Sequence, residues 1–352
     1  MAALKKILHN VGLLLLGLFI ALLLVEVLLR VTSTVKLEEE HLNNDDYLLY
    51  KIKPNLDTII YTPEYIPFDF KTVSLGFDGI GFRDDGINGN PYAVAVGDSF
   101  TFGLGVNSSD SWVELLEKKM NKDVVNMGVW GYGTIAEERT LEKYGMKLKP
   151  KLVIVGFAVN DFSDSYTFDT NLAGKKQLKD SLKDNIAIFR FLWETFGELK
   201  HDSEIIRYSD DNLSFVFWPQ PAVDDINPNY EKVKLGEDLS KESFLRINKM
   251  AKENNATLVI VLLPAKEQVY WHIVKNYVSN PEQYTYDYPI DAMNSFCAES
   301  NLNCLDLRQA FNERALKGEK LFFYIDSHYE ENGNKLVADE VHKYLVSNRL
   351  IN

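Results

Sequence analysis

Four short segments of the sequence carry side chains that could together transfer an acyl group. Ser99 ends a Gly-Asp-Ser triplet directly after an apolar run. A serine on a tight turn at the end of a strand is exposed, as a nucleophile must be. Clustered glycines, including Gly131, and then Asn160 follow two further apolar runs, and His328 follows Asp326 by two residues. A hydroxyl, an imidazole, a carboxylate and polar donors are the groups that nucleophilic catalysis at a carbonyl requires.

The order and placement of these segments carry more information than any one of them. A Gly-Asp-Ser triplet is commonly only a turn, and Asn-Asp after a strand commonly caps a helix. Here all four segments occur in one chain, and each lies at the end of a predicted strand or just before the closing helix. We therefore interpret them as parts of one site.

The elements that must position these residues follow from the apolar pattern. Continuous apolar runs alternate with segments of helical spacing, which predicts a parallel sheet covered by helices on both faces. The predicted strands are 92–96, 123–126, 151–156, 257–263 and 304–307, and the predicted helices are 111–121, 135–146, 242–253, 289–299 and 335–346. Ligands of such sheets bind at the carboxyl ends of the strands, which is where the four segments lie.

This set of motifs resembles the SGNH (GDSL) hydrolase family, which is named for a serine, a glycine, an asparagine and a histidine. The resemblance covers the chain from Ala93 to its end, with 162–239 unmatched. It implies an α/β fold of the flavodoxin-like type, with three α/β/α layers around a parallel sheet. It also implies an enzyme that hydrolyses ester bonds.

The resemblance implies a role for each matching residue. Ser99 would be the nucleophile, His328 its general base and acid, and Asp326 the group that orients and stabilises His328. The oxyanion hole would consist of the Ser99 N–H, the Gly131 N–H and the Asn160 side chain. Loss of one such donor typically lowers the rate by about 10²–10³.

Two further carboxylates match the motifs of the family. Asp98 and Asp161 stand beside the nucleophile and the asparagine, and the resemblance implies that they fix the loops there. It implies no organic cofactor. The sequence lacks a His-Glu-x-x-His run and a four-cysteine set, so we predict neither a metal nor a cofactor.

The spacing of the acid and the base departs from the usual Asp-x-x-His of this family. Only Ser327 separates Asp326 from His328, and the residue three before the histidine is Ile325. The shorter spacing is similar to that of the polysaccharide O-acetyltransferase branch related to alginate acetylation proteins. The sequence therefore assigns His328 as the base more firmly than it assigns Asp326 as the acid.

Lys266 lies in a segment that is also similar to that branch. It follows the predicted strand 257–263 and Pro264. At this edge of the sheet Lys266 could meet an acidic sugar or polarise an acyl carbonyl, so it is a candidate substrate-binding residue. Alternatively, Pro264 only stops the strand and Lys266 is solvated.

The N-terminal segment predicts a membrane anchor. Residues 7–29 are almost wholly apolar, and about 20 helical residues cross a hydrocarbon core. A cleaved signal peptide is the alternative, but its apolar region is usually shorter, about 7–15 residues. Lys5 and Lys6 favour a cytoplasmic amino terminus. We expect a single-pass membrane protein whose catalytic domain lies in the periplasm or outside the cell.

The predicted organisation has four parts. Residues 1–6 form a cytoplasmic tail, 7–29 the anchor, 30–90 a stalk with lead-in strands, and 91–352 the hydrolase-like domain. The insertion 162–239 is far longer than one crossover needs. It could be a lid or substrate wall, an extra helix with its own small core around the apolar run 186–193, or a face that rests on the membrane.

The net charge of the chain bears on whether it binds nucleic acid. The chain has 38 basic and 51 acidic residues, a net charge of −13, and it lacks a large basic cluster. Such a chain repels phosphate backbones, so we expect no nucleic acid partner.

Cys297 and Cys304 are the only cysteines. They lie on a predicted helix and the strand after it, and either a disulfide or two buried thiols fits this placement.

Three functional hypotheses remain open from the sequence. The first is a membrane-anchored serine esterase that forms an acyl-enzyme on Ser99 and acts on O-acyl or O-acetyl esters, with the bilayer and an acylated small molecule or carbohydrate as partners. The second keeps the same chemistry but passes the acyl group to a cell-surface polysaccharide. The third is an inactive glycan-binding or assembly protein. The sequence makes no prediction of oligomeric state.

Overall fold

The computed structural model describes residues 2–32, 41–87, 89–173, 188, 205–211, 213–219 and 226–351. These residues divide into two units, of which one contains the N-terminal helix and the other consists of His41–Ala173 and Ser203–Asn352. The N-terminal helix, α1, spans Ala2–Thr32. By length and composition its stretch His9–Leu29, with a mean hydropathy of 2.9, could cross a membrane.

Two antiparallel hairpins precede the main sheet. The first pairs β1 (Leu42–Asp45) with β2 (Leu49–Ile52), and the second pairs β3 (Asp57–Tyr61) with β4 (Pro67–Lys71). Their inward apolar side chains are buried in the same cluster as side chains of the main sheet. The part of the predicted stalk that the structure describes, from residue 41 onward, is therefore packed onto the domain.

A five-stranded parallel sheet forms the centre of this unit. In the described part of the chain, the further strands are β5 (Ala93–Gly97), β6 (Val124–Asn126), β7 (Leu152–Ala158), β8 (Ile206–Ser209), β9 (Ser214–Phe217), β10 (Thr257–Leu263) and β11 (Asn303–Asp306). The sheet has the order β11-β10-β7-β5-β6, and all its pairs are parallel. Strands β8 and β9 form a separate antiparallel hairpin. The five strands predicted for the sheet all occur.

Helices cover both faces of the sheet. They are α2 (Ser99–Phe102), α3 (Trp112–Met120), α4 (Thr134–Lys143), α5 (Asp161–Leu172), α6 (Glu231–Glu253), α7 (Lys266–Val269), α8 (Trp271–Val274), α9 (Tyr288–Ser300), α10 (Arg308–Ala315) and α11 (Glu331–Ser347). Successive residues of β5 point into different cores: Val94 and Val96 join one hydrophobic cluster, and Ala93 and Ala95 join the other. This confirms the predicted α/β architecture and explains why the central strands read as continuous apolar runs.

Helix α6 begins at Glu231, well before the predicted start at 242. Its first half packs through small residues rather than large apolar ones, so the apolar spacing does not reveal it. A side chain at Gly236 would collide with the carbonyl of Phe162 on α5, and Ser240 hydrogen-bonds Ser165 at 3.0 Å. The insertion therefore supplies helical structure at both of its ends. The apolar run 186–193 lies outside the described residues apart from Ile188.

The two cysteines form a disulfide. Cys297 on α9 and Cys304 on β11 are bonded, with their Cα atoms 6.2 Å apart. Of the two alternatives that the sequence left open, the structure has the covalent one.

A buried arginine ties the second hairpin to the loop after α2. Arg83 is fully buried and donates to the carbonyls of Phe102, Gly103 and Val106. It also pairs with the Asp69 carboxylate on β4 at 3.4 Å. The pair thus joins the lead-in segment to the domain and fixes the chain that leaves the short helix α2.

Candidate active site

A cleft of about 540 Å³ opens at the carboxyl ends of the central strands. The residues that line it come from distant parts of the chain: Pro63, Ser99, Phe100, Val159, Asn160, Trp218, Ala265, Glu267, Ile325, Asp326, Ser327 and His328. Four of the residues predicted to form a site therefore lie around one cavity. They are Ser99, Asn160, Asp326 and His328.

Ser99 is held at the mouth of the cleft by the turn between β5 and α2. The Asp98 side chain accepts the N–H of Phe100 at 2.9 Å and so caps the helix that starts at Ser99. Gly97 is required because a Cβ there would lie 2.1 Å from the Thr101 hydroxyl. The chain can therefore turn tightly enough to leave Ser99 half-exposed at the strand end.

Three side chains form a continuous hydrogen-bonded array in the cleft. The Nε2 atom of His328 lies 2.7 Å from Ser99 Oγ, and its Nδ1 atom lies 2.5 Å from Asp326 Oδ1. The same Asp326 oxygen accepts the backbone N–H of His328 at 2.9 Å, so the short Asp-x-His spacing closes into a turn. Phe100 packs against the imidazole, with ring centroids 4.9 Å apart.

The charges of this array favour an imidazole that can take a proton. Burial alone would lower the pKa of His328, but the Asp326 carboxylate outweighs burial and raises this pKa above its usual value. Burial likewise opposes ionisation of Asp326, yet contact with His328 keeps the pKa of Asp326 below its usual value. A carboxylate only accepts hydrogen bonds, so Nδ1 carries the proton and Nε2 of the neutral ring accepts the Ser99 hydroxyl.

Lys266 does not point into the cleft as a substrate contact. It is 1% exposed, and its ammonium donates to four consecutive backbone carbonyls, those of Phe323, Tyr324, Ile325 and Asp326, at 3.0–3.2 Å. The structure thus differs from both sequence-based alternatives, because all three N–H groups of Lys266 are directed at the loop that carries Asp326. Burial lowers the pKa of Lys266 to about 8.

A second side chain, of opposite charge to Lys266, binds the same loop. Glu64, in the tight turn between β3 and β4, accepts the backbone N–H groups of Ile325 at 2.5 Å and Asp326 at 2.8 Å. A cation therefore binds the carbonyls of the loop and an anion binds its amides. No sequence motif indicated Glu64, which is separated from its partners by more than 260 residues.

The hairpin β8–β9 from the insertion completes the support of this loop. The rings of Phe215 and Phe217 lie 5.4 and 5.8 Å from the Lys266 ammonium, within the range of cation–π attraction. The N–H of Val216 donates to the carbonyl of Tyr324 at 2.7 Å. Trp218, directly after β9, lines the cleft. Trp218 is the residue of the described part of the insertion that lines the cleft, and the role of the insertion as a lid or substrate wall stays a prediction.

Of the two remaining predicted oxyanion donors, Asn160 and Gly131, one lines the cleft and the other does not. Asn160 lines the cleft, and its Nδ2 atom donates to Asp98 at 3.2 Å and to Asp164 at 2.7 Å. Gly131 is exposed in a turn with φ of +73°, beside the hydroxyl of Tyr50, and is not among the cleft-lining residues. Asn160 therefore lies at the cleft, whereas Gly131 is not one of the residues that line it.

Buried carboxyl groups lie beneath the nucleophile and the asparagine. Asp161 accepts the N–H of Ala158 at 3.0 Å and so fixes the end of β7, whereas Asp98 caps the helix that follows β5. Burial raises the pKa values of Asp98, Asp161 and the neighbouring Glu137, and the carboxyl groups reinforce one another in the last two cases. Sequence reasoning missed Glu137, which reads as an ordinary helix residue.

Among the described residues, one group of acidic side chains has the spacing of a metal site. Carboxylate oxygens of Asp85, Glu114 and Glu117 lie within 4.8 Å of one another. None of the three lines the cleft. The group has no bearing on the array at Ser99.

A family model described as the GDSL-like Lipase/Acylhydrolase family matches residues 95–336 of the chain. The match includes the serine, the asparagine and the Asp-x-His segment described above. No curated protein sequence matches the chain.

Several solved structures are similar to the chain at low identity. The acetyl xylan esterase AlAXEase has 14% identity and a TM-score of 0.42, with 71% of this chain and 98% of that chain covered. A catalytic mutant of Axe2, an acetylxylan esterase from Geobacillus stearothermophilus, has 15% identity and a TM-score of 0.41, with 74% and 95% covered. A GDSL-like lipase from Bacteroides thetaiotaomicron has 9% identity and a TM-score of 0.39, with 73% and 88% covered.

The electrostatics of the array predict how His328 titrates. In the intact protein its pKa lies above the usual value for histidine, and in Asp326→Asn this pKa falls, because the carboxylate that opposes the effect of burial is removed. NMR titration of the His328 ring proton measures both values.

Asp57→Asn provides the control, since Asp57 is an exposed carboxylate on β3. This variant leaves the His328 pKa unchanged. An Asp326→Asn protein that retains the pKa of the intact protein contradicts the assignment of Asp326 as the dominant charge on the imidazole.

Proposed function

Because the chain belongs to the GDSL-like lipase/acylhydrolase family, whose enzymes hydrolyse ester bonds, we propose that it is a serine esterase in which Ser99 forms an acyl-enzyme. The observation that carries this proposal is the array in which His328 contacts both Ser99 and Asp326. The array supplies a nucleophile, a base within reach of its proton, and a carboxylate that fixes the base.

Acylation begins with the Ser99 hydroxyl. Nε2 of His328 takes the proton as Oγ attacks the ester carbonyl, and the carbonyl oxygen becomes an oxyanion. The tetrahedral intermediate then collapses, the bond to the alkoxy oxygen breaks, and the imidazolium gives its proton to the departing alcohol. Asp326 stabilises the positive charge that His328 carries between these two events.

Deacylation repeats the sequence with water in place of the serine. His328 takes a proton from water, the resulting hydroxide attacks the acyl carbonyl, and Ser99 leaves with the proton returned by His328. The products are the carboxylic acid and the free enzyme. A sugar hydroxyl in place of this water would make the protein an O-acyltransferase, and the array serves both acceptors equally.

The oxyanion donors that we propose are the N–H groups of Ser99 and Gly131 and the side chain of Asn160. For Asn160 this requires one of its N–H bonds to turn from Asp98 or Asp164 to the oxyanion. A donor held by a carboxylate in the resting state is already near the site. Gly131 is proposed from its sequence motif, since it is not among the residues that line the cleft.

We propose that helix α1 anchors the enzyme with its catalytic domain outside the cytoplasm. The apolar stretch His9–Leu29 supports the anchor, and Lys5 and Lys6 support a cytoplasmic amino terminus. The disulfide between Cys297 and Cys304 supports an oxidising compartment for the domain.

The esterase proposal predicts that activity depends on one hydroxyl. Full-length protein in detergent should hydrolyse p-nitrophenyl acetate or butyrate, and Ser99→Ala should lower kcat/KM by about 10³-fold or more, because no nucleophile remains. Ser109→Ala removes an exposed hydroxyl outside the cleft and should retain the activity of the intact protein.

Equal hydrolysis by the intact protein and Ser99→Ala, on every ester tried, would overturn the proposal. Addition of an oligosaccharide acceptor then separates hydrolysis from transfer. Acylated sugar detected by mass spectrometry assigns the transferase reaction, and release of the carboxylic acid alone assigns the hydrolase.

The anchoring proposal predicts the compartment of the carboxyl terminus. Alkaline phosphatase fused after residue 352 should be active in cells, because it needs oxidised disulfides to fold. Reversal of charge in Lys5→Glu/Lys6→Glu should lower the active fraction. If a reporter that fluoresces only in the cytoplasm is fused at the same position and does fluoresce, while the phosphatase fusion is inactive, the domain lies inside the cell and the proposal is contradicted.

A further inference from the structure

A second cleft, of about 290 Å³, lies beside the catalytic cleft and is lined by aromatic rings. Its aromatic wall consists of Trp271, Tyr284, Tyr286 and Tyr288. Tyr284 and Tyr286 are stacked, with an interplanar angle of 11°, and Trp271 lies 5.6 and 4.9 Å from them between ring centroids. The rings thus form one aromatic cluster on a single side of the domain.

Two of the tyrosine hydroxyl groups are already used within the protein. Tyr286 donates to the carbonyl of Pro219 at 3.0 Å, and Tyr288 donates to the carboxylate of Glu237. These bonds fix the orientation of the rings and occupy their polar tips. Since Tyr286 is buried, what remains for a ligand is the apolar surface of the half-buried rings of Trp271, Tyr284 and Tyr288.

The rim of this cleft is polar, and its charged side chains are paired with one another. Gln268 donates to Asp287 at 2.8 Å, and Arg308 pairs with Asp287 at 3.0 Å and with Asp291 at 2.7 Å. Planar amide, carboxylate and guanidinium groups stand side by side, so the rim offers both donors and acceptors. The hydroxyl of Thr285, which also lines the cleft, has no hydrogen-bond partner in the described part of the chain.

This combination matches the chemistry of a pyranose ring. Such a ring presents a face of C–H groups that packs on aromatic surfaces and an edge of hydroxyl groups that need planar polar partners. A fatty acyl chain would leave the polar rim without partners. A cationic ligand would meet Arg308, which already neutralises the two aspartates.

The two clefts are lined in part by neighbouring residues of one chain segment. Ala265 and Glu267 line the catalytic cleft, whereas Gln268 and Trp271 line the aromatic one. Glu267 and Gln268 are adjacent in the chain, where consecutive Cα atoms lie about 3.8 Å apart, so the linings of the two clefts meet at this point. On the other side, Trp218 borders the catalytic cleft and the next residue, Pro219, accepts the hydrogen bond from Tyr286.

We infer that the aromatic cleft is a carbohydrate subsite that binds a neighbouring sugar of an acylated oligosaccharide while its ester lies at Ser99. The inference rests on the proposed esterase function of Ser99 and specifies its substrate as a sugar chain rather than a small ester. The half-buried ring of Trp271 supplies a packing surface, and the rim of Gln268, Asp287 and Asp291 supplies the partners for hydroxyl groups.

The test compares a sugar ester with a small ester in the same variants. Acetylated xylohexaose and p-nitrophenyl acetate are hydrolysed by the intact protein, Trp271→Ala and Trp271→Phe. In Trp271→Ala the ratio of kcat/KM for the sugar ester to kcat/KM for the small ester falls about tenfold, chiefly through KM, because one stacking surface is lost. Trp271→Phe keeps a ring and restores most of this ratio.

Two further measurements keep this test interpretable. Tyr277→Ala removes an exposed tyrosine outside both clefts and should leave the ratio unchanged. Calorimetric titration of Ser99→Ala with plain xylohexaose, cellohexaose, chitohexaose and an oligomannuronate reports binding without turnover. At least one of these chains should bind, and the same chain should bind about tenfold more weakly to Ser99→Ala/Trp271→Ala.

The outcomes separate this inference from the function on which it rests. If Ser99→Ala abolishes hydrolysis of the small ester but Trp271→Ala leaves the ratio unchanged, the esterase stands and the subsite is overturned. If neither ester depends on Ser99, the proposed function fails, and sugar binding that depends on Trp271 would still support the cleft. If none of the four chains binds Ser99→Ala, the carbohydrate assignment is wrong.

Discussion

The buried ammonium of Lys266 is the interaction on which the geometry of the site depends. The loop from Phe323 to Asp326 turns four consecutive carbonyls inward, and such groups are costly to bury without donors. Lys266 supplies these donors in one place, and Glu64 takes up two amides of the same loop. The loop that delivers His328 to Ser99 is therefore organised by two opposite charges that reach it from distant parts of the chain.

The other half of the site rests on carboxyl groups rather than on a cation. Asp98 caps α2 below Ser99 and accepts a hydrogen bond from Asn160, so it links the ends of β5 and β7. Asp161 and Glu137 are buried close by, and burial and the neighbouring carboxyl groups of Asp98 and Asp164 raise the pKa values of both. The turn that carries the nucleophile is thus supported by buried carboxyl groups, while the imidazole lies on a loop that Lys266 organises. The hydrogen bond between Ser99 and His328 joins these two halves.

The sequence predicted the sheet and the array well, because both leave local signals. Strand Thr257–Leu263 is buried on both faces and reads as an uninterrupted apolar run, so its bounds were predicted correctly. The early start of helix α6 was missed because Gly236 and other small residues make its contacts. The actual environment of Lys266 and the participation of Glu64 were also missed. Their partners are backbone groups far away in the chain, and the identity of a side chain carries no information about such contacts.

The measurement that most directly tests this account is the rate at which a fluorophosphonate labels Ser99 in the intact protein, Lys266→Met and Lys266→Arg. Methionine fills the space of the lysine stem but has no donor for the four carbonyls, and a displacement of His328 by about 1 Å can lower the rate by about 10². The account predicts labelling of Ser99 alone, about 10²-fold slower in folded Lys266→Met and partly restored in Lys266→Arg. Equal labelling rates in the three folded proteins, or a label on another residue, would contradict it.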